Sequence, residues 1–146
     1  MSGPITDIFR LDGHLALVTG ASSGLGRHFA LTLARAGATL IAAARRSEPL
    51  AGLVAEIAAL GGQAYAAPLD VRDPASVKAC FDRIAEMAGV PDIIVNNAGM
   101  TLTKPLLQHD EDDWNSVLDT NLGGCWRVAQ EGARRMVAAE KRGSIV

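Results

Sequence analysis

A chain of 146 residues, 49% hydrophobic and 21% charged, is long and apolar enough for one folded domain with a sizeable core. That balance excludes global disorder, which requires low hydrophobicity with high net charge. A net charge of −2 excludes a strongly basic nucleic-acid-binding surface. In chain order, residues 14–19 hold a short continuous apolar run between turn residues, the pattern of a strand buried on both faces. A Gly- and Ser-rich segment, residues 20–26, leads into a helix (RHFALTLARAG) with Phe29, Leu33 and Ala36 on one face and Gly37 at its end. A second buried strand, residues 38–44 (ATLIAAA), stops at Arg45 and Arg46. Ser47 is the candidate N-cap of the next helix (PLAGLVAEIAAL), with Pro49 in its first turn.

A third strand at 64–69 ends in Asp70. Asp73-Pro74 has the cap-then-proline form of a helix start, and Val77, Phe81, Ile84 and Ala88 give that helix its apolar face before Gly89. A fourth strand, residues 92–95 (DIIV), runs into Asn96-Asn97-Ala98-Gly99. After a polar connection, acids at 110–113 open the last long helix, where the helix dipole favours negative charge; Lys141 and Arg142 lie at its far end, where the dipole favours cations. Gly143 breaks it, and Ser144-Ile145-Val146 reads as the start of a fifth strand. Strand–helix alternation with short connections predicts an α/β domain, a three-layer Rossmann-type doubly wound parallel sheet spanning 1–146. Because the sequence stops in an apolar strand, it reads as a fold cut short there, with the later part absent.

The two cysteines, Cys80 and Cys125, are too few for a disulfide framework or a four-cysteine zinc site and read as reduced thiols. The opening MSGPITDIFRLDG lacks the basic-then-apolar order of a signal peptide, and no run reaches the roughly eighteen apolar residues of a membrane span. The expectation is a cytoplasmic protein with neither membrane nor nucleic-acid partner. His14, His28 and His109 are not spaced with carboxylates or thiols for metal binding.

Thr19-Gly20-Ala21-Ser22-Ser23-Gly24-Leu25-Gly26 joins the first strand to the first helix. Glycines at such a turn let the backbone bend tightly and approach a pyrophosphate, while the helix start offers unpaired N–H groups to phosphate. The alternative is a tight turn without a ligand. A nucleoside-triphosphate loop is excluded, because no Gly-Lys-Ser/Thr closes the motif. An acid normally meets the ribose of NAD at the end of the second strand; here stand Arg45 and Arg46, whose guanidinium groups suit a phosphate dianion, or are simply two solvated side chains.

The Thr19-Gly20-x-x-x-Gly24-x-Gly26 spacing resembles the cofactor loop of the short-chain dehydrogenase/reductase family, in its shorter single-domain branch. Asp70-Val71, Asn97-Ala98-Gly99 and Asn121 (in WNSVLDTNLGG) resemble the same family in the same order, so the likeness runs from about Leu11 onward. The resemblance implies an oxidoreductase that moves hydride between NADP, or alternatively NAD, and a carbonyl or secondary alcohol. It implies that Gly20, Ser22, Ser23, Gly24, Leu25 and Gly26 seat the pyrophosphate, and that Arg45 and Arg46 select NADP. Asp70 and Val71 would meet the adenine, although Asp70 also reads as a turn residue before Asp73. Asn97, Ala98 and Gly99 would flank a ribose, or Asn97 would brace adjacent strands; both can hold.

Asn121 corresponds to the family's catalytic asparagine, which holds a water in a proton relay; otherwise it is an interior Asn bonded to a backbone carbonyl. Asn121, Gly123 and Gly124 are poor helix formers in sequence, which implies close packing or local distortion there. The family's Tyr-x-x-x-Lys pair is missing, since the single tyrosine, Tyr65, is followed four places on by Leu69, and Ser144 does not stand at the family's serine position. The 146-residue chain by itself is therefore expected to be inactive, and the alternative to the oxidoreductase reading is a non-catalytic dinucleotide-binding module or inactive fragment. The family also implies a homo-oligomer, with the last helix, around Trp126 and Ala133, forming half of a helix-pair interface.

Overall fold

The computed structural model describes residues 5–146. A 3-10 turn at Ile5–Phe9 precedes β1 (Leu15–Thr19), α1 (Gly24–Arg35), β2 (Thr39–Ala44), α2 (Ser47–Ala59), β3 (Ala64–Pro68), α3 (Pro74–Met87) and β4 (Ile93–Val95). A second 3-10 turn, Leu106–Gln108, leads to α4 (Glu111–Leu118), a π-helical turn (Asp119–Gly123), α5 (Gly124–Ala138) and β5 (Ser144–Ile145).

The strands form one sheet in the order β3-β2-β1-β4-β5, and every pairing is parallel. This is the expected doubly wound Rossmann-type sheet. Side chains alternate between its faces, as strand geometry requires. Leu17, Ile41 and Ile94 pack with Phe81 and Ile84 of α3 and with Val128 and Met136 of α5. Val18, Leu40 and Ala42 pack with Ala30 and Leu31 of α1 and with Leu50, Leu53 and Ile57 of α2. Burial on both faces is why the strands read as unbroken apolar runs rather than alternating ones. Pro68 is tolerated in β3 because β3 is an edge strand, where a missing N–H costs no interior ladder bond.

The element ends differ from expectation where side chains compete for the backbone. Asp73 caps α3 as anticipated, its Oδ1 accepting from Ala75 N at 2.9 Å with Pro74 in the first turn. Ser47 is not the cap of α2; it is the first helical residue, and Arg46 occupies the cap position without a side-chain bond. The last helix ends at Ala138, short of Lys141 and Arg142. The Lys141 ammonium is instead drawn to Val90 O at 2.7 Å and to the buried Asp92 carboxylate at 3.0 Å. Asp92 also accepts from Leu15 N at 3.1 Å and lies 3.3 Å from His14 Nδ1, which knits the N-terminal ends of β1 and β4 together.

Candidate functional site

The strand order reverses between β1 and β4, whose C-terminal ends diverge toward helices on opposite faces. Doubly wound sheets open a crevice at that point. Here a cleft of about 340 Å³ lies across the ends of β1, β2, β3 and β4.

The glycine turn forms its first wall. Gly20 has φ +70°, a left-handed conformation that favours glycine. A Cβ at Gly20 would meet Ala98 Cα at 2.9 Å, and one at Gly26 would collide with Asn97 Nδ2 and the Gly20 carbonyl. Both glycines therefore let the turn lie directly on the segment after β4. Thr19 fixes that contact. Its hydroxyl accepts from Asn97 N at 3.0 Å and Ala98 N at 2.9 Å and donates to Val95 O at 3.4 Å, while Asn97 Nδ2 donates to Thr19 O at 3.0 Å. The bracing role of Asn97 is thus present, and Asn97 also lines the cleft.

Ser23 stands at the N-cap of α1 in an extended conformation without a side-chain cap bond. The first-turn N–H groups of a helix have no intrahelical partner. The amides of Gly24, Leu25 and Gly26 accordingly have no side-chain cap, as at the start of α2, whereas α3 and α4 close theirs with Asp73 and with an Asp110/Asp113 capping box. Ser22, Ser23, Leu25 and Gly26 line the cleft, and Gly24 stands between them at the helix start.

Arg45 and Arg46 are exposed at the end of β2 and line the same cleft. Arg46 Nη2 donates to Ser22 Oγ at 3.3 Å, bridging the glycine turn to the second strand. Arg72 adds a third guanidinium on the far wall. Asp70 is one-third exposed beside it; its Oδ1 accepts from Arg72 N at 3.0 Å, which is the turn role considered from sequence, and lies 3.8 Å from Arg72 Nε. Val71 is buried and packs on Gly124, where a Cβ would stand 2.6 Å from Val71 Cγ2.

Gly99 and Met100 complete the cleft and lead to Asn121. Asn121 lies in the π-helical turn, where Gly124 N bonds back to Asp119 O, so the distortion expected of this glycine-rich stretch is a wide turn. Its side chain makes two bonds to one residue: Met100 N donates to Oδ1 at 2.8 Å, and Nδ2 donates to Met100 O at 2.9 Å. A Cβ on Gly99 would approach Asn121 Oδ1 to 3.2 Å. The backbone-bonding alternative for Asn121 is realised, at the rim of the cleft. Tyr65 lies in β3, its hydroxyl accepting from Gln63 Nε2 at 2.6 Å.

The structure brings twelve of the thirteen expected cofactor-binding residues onto one cleft, with Gly24 at its helix start and Asn121 one hydrogen-bonded step away through Met100. Sequence reading did not single out Arg72, Met100, Thr120 or Arg127. The first three line the cleft as neighbours of the motifs, and Arg127 gave no local signal at all.

Sheet order, glycine turn and cleft position define a Rossmann-type α/β domain of the kind that receives ligands at its strand-order switch. Residues 14–146 match the short chain dehydrogenase family, and the chain belongs to that family. It is 37% identical over 137 residues to a 3-oxoacyl-[acyl-carrier-protein] reductase of Thermotoga maritima, covering 94% of this chain and 55% of that protein. It is 39% identical over 128 residues to a 3beta-hydroxysteroid dehydrogenase of Mediterraneibacter gnavus, covering 87% of this chain and 46% of that protein. Among solved structures, a short-chain type dehydrogenase/reductase from Mycobacterium marinum superposes with TM-score 0.92 at 38% identity, covering 97% of this chain and 57% of the other. A gluconate 5-dehydrogenase from Burkholderia cenocepacia, solved with NADP and tartrate, gives TM-score 0.85 at 40% identity, covering 92% of this chain and 52% of the other. The chain thus spans about half the length of the relatives it matches. Among the described residues, no helix is long and apolar enough to cross a membrane.

Proposed function

We propose that this chain seats NADP in the cleft and belongs to an oxidoreductase acting between a carbonyl and a secondary alcohol. The observation that carries the reading is the uncapped start of α1 facing a cleft with three guanidinium groups, Arg45, Arg46 and Arg72. Helix-start amides and guanidinium forks are the donors that a pyrophosphate and a 2′-phosphate require. In this reading Gly20, Ser22, Ser23, Gly24, Leu25 and Gly26 hold the pyrophosphate. Arg45 and Arg46, with the Ser22 hydroxyl, hold the 2′-phosphate. Asp70 and Val71 face the adenine, and Asn97, Ala98 and Gly99 leave room for a ribose. The bound nicotinamide would supply the hydride donor or acceptor.

Asn121 is proposed to orient a water in the proton relay, held in place by its two bonds to Met100. The residues present contain no Tyr-x-x-x-Lys. That observation favours a second reading for the 146-residue chain on its own: a dinucleotide-binding unit without turnover.

Fluorescence titration of NADPH and NADH tests the cofactor assignment. NADPH binds more tightly in the expected outcome, and Arg45→Ala or Arg46→Ala weakens NADPH roughly tenfold to a hundredfold, the range for a lost charge-assisted hydrogen bond, while NADH changes little. Equal affinity for both cofactors, unchanged in both variants, overturns the NADP assignment.

A further inference from the structure

Arg127 stands on α5, outside every motif that marks the cleft, yet its guanidinium reaches back to two of them. Nη1 donates to Val71 O at 3.3 Å and to Asp119 O at 3.4 Å, and Nη2 donates to Asp119 Oδ1 at 2.5 Å. Val71 belongs to the wall assigned above to the adenine. Asp119 is the first residue of the π-helical turn that carries Asn121, and its carbonyl already receives Gly124 N. Two glycines make this grip possible. A Cβ at Gly123 would stand 2.9 Å from Asp119 Oδ1 and 3.2 Å from Arg127 Nη1, and one at Gly124 would collide with Val71. The paired glycines after Asn121 are thus the space in which the guanidinium and Val71 sit.

A π-helical turn is rare within α-helices and tends to persist where something outside the helix ladder favours it. Asn121 supplies one such hold through Met100, on the cleft side. We propose that Arg127 supplies the other and is a positioning residue: its fork joins the Val71 wall to the wide turn and thereby sets where Asn121 meets Met100. Its functional meaning rests on the dinucleotide reading, but the mechanical linkage does not. With the fork removed, Asp119 and Val71 lose their shared donor, and the turn is free to tighten to α-helical pairing, which swings Asn121 away from Met100.

Amide hydrogen exchange on the full chain reads this directly, because Met100 N–H donates to Asn121 and has no contact with Arg127. Arg127→Met speeds exchange at Met100 about tenfold, the change expected from one lost hydrogen bond. Asn121→Ala speeds it at least as much, and the double variant exchanges no faster than Asn121→Ala alone, since both act through one contact. Asp119→Asn and Arg127→Lys give intermediate rates and serve if Arg127→Met does not fold. NADPH affinity follows the same non-additive pattern. Unchanged Met100 exchange in folded Arg127 variants, or single effects that multiply in the double variant, overturns the proposal. If neither wild type nor variants bind NADPH while the exchange linkage persists, the dinucleotide reading fails and the positioning role stands.

Discussion

Thr19 is 1% exposed, and its hydroxyl is the shared acceptor for two amides on the segment after β4. Thr19→Val keeps the shape and deletes the acceptor, which leaves the part-buried Ala98 amide without its partner at a cost of about 1–3 kcal/mol, while Asn97 N keeps its second acceptor, Val95 O, at 3.1 Å. Urea unfolding should show a loss of roughly 1–3 kcal/mol in Thr19→Val, with Thr19→Ser close to wild type; equal midpoints for all three would show that the hydroxyl is not what holds the turn. The cysteines separate by the same logic of burial. Burial pushes the Cys80 thiol up to about 11, whereas Cys125 is only half-buried. A thiol reagent at neutral pH should label Cys125 and spare Cys80 until the chain unfolds, because the thiolate is the reactive form. Mass mapping of the labelled peptide checks this, and early modification of Cys80 would contradict its burial. The glycine turn was legible in the sequence because residue types at fixed spacing carry its meaning. The hub at Thr19 and the reach of Arg127 were not, because their partners lie 78 and 56 residues away along the chain.

The elements were legible where one local force decides them. Acids at 110–113 mark the start of α4, as the dipole argument requires, and Asp110 and Asp113 go further by closing a reciprocal capping box. What the sequence did not display is that Asp113 also receives Lys104 Nζ at 2.5 Å, folding the connection after β4 against the helix. That hydrogen bond, helped by the Asp110 backbone amide and then by the charge of Lys104, outweighs desolvation and holds the Asp113 carboxyl below the ordinary value of 3.8. Lys78 and Arg135 hold Asp82 down in the same way, tying α3 to α5. A carboxyl lowered in the folded state contributes its stability fully above the unfolded value and loses it as pH falls through the lower, folded one. Between about pH 6 and pH 3 the melting temperature of wild type should therefore fall more than that of Asp113→Asn. Parallel declines would mean that the Lys104 contact adds nothing. The helix ends were less legible, because Arg46 and Lys141 answer to partners across the fold: Ser22 in one case, Val90 and Asp92 in the other.

At the scale of the whole molecule, the doubly wound sheet followed directly from apolar runs alternating with amphipathic helices, and its strand order is the one that places the cleft. The outer side of α4 and α5 is a different matter. Trp114 is 66% exposed, Leu122 66% and Trp126 60%, with Leu118 and Val137 on the same helical run and Ala133 half-buried between them. We propose that a second copy of this chain covers part of that stripe, in keeping with the homo-oligomer expected from the last helix, since exposed apolar surface of this extent commonly marks an interface. Sedimentation velocity should show self-association that Trp126→Glu weakens at least tenfold, as expected when a central aromatic anchor is replaced by a charge. A wild-type chain that stays monomeric at high concentration would remove the proposal.

The wide turn at Asp119–Gly123 also sets the angular bookkeeping of this helix. Residues spaced by four overshoot an α-helical turn by about 40° at each step, so Trp114, Leu118, Leu122 and Trp126 would spiral around an uninterrupted cylinder. An additional residue in the winding gives some of that drift back midway, like a vernier correcting a dial. A single-residue deletion there would close the wide turn to plain α winding, leaving the two tryptophans in phase but moving Asn121 relative to Met100.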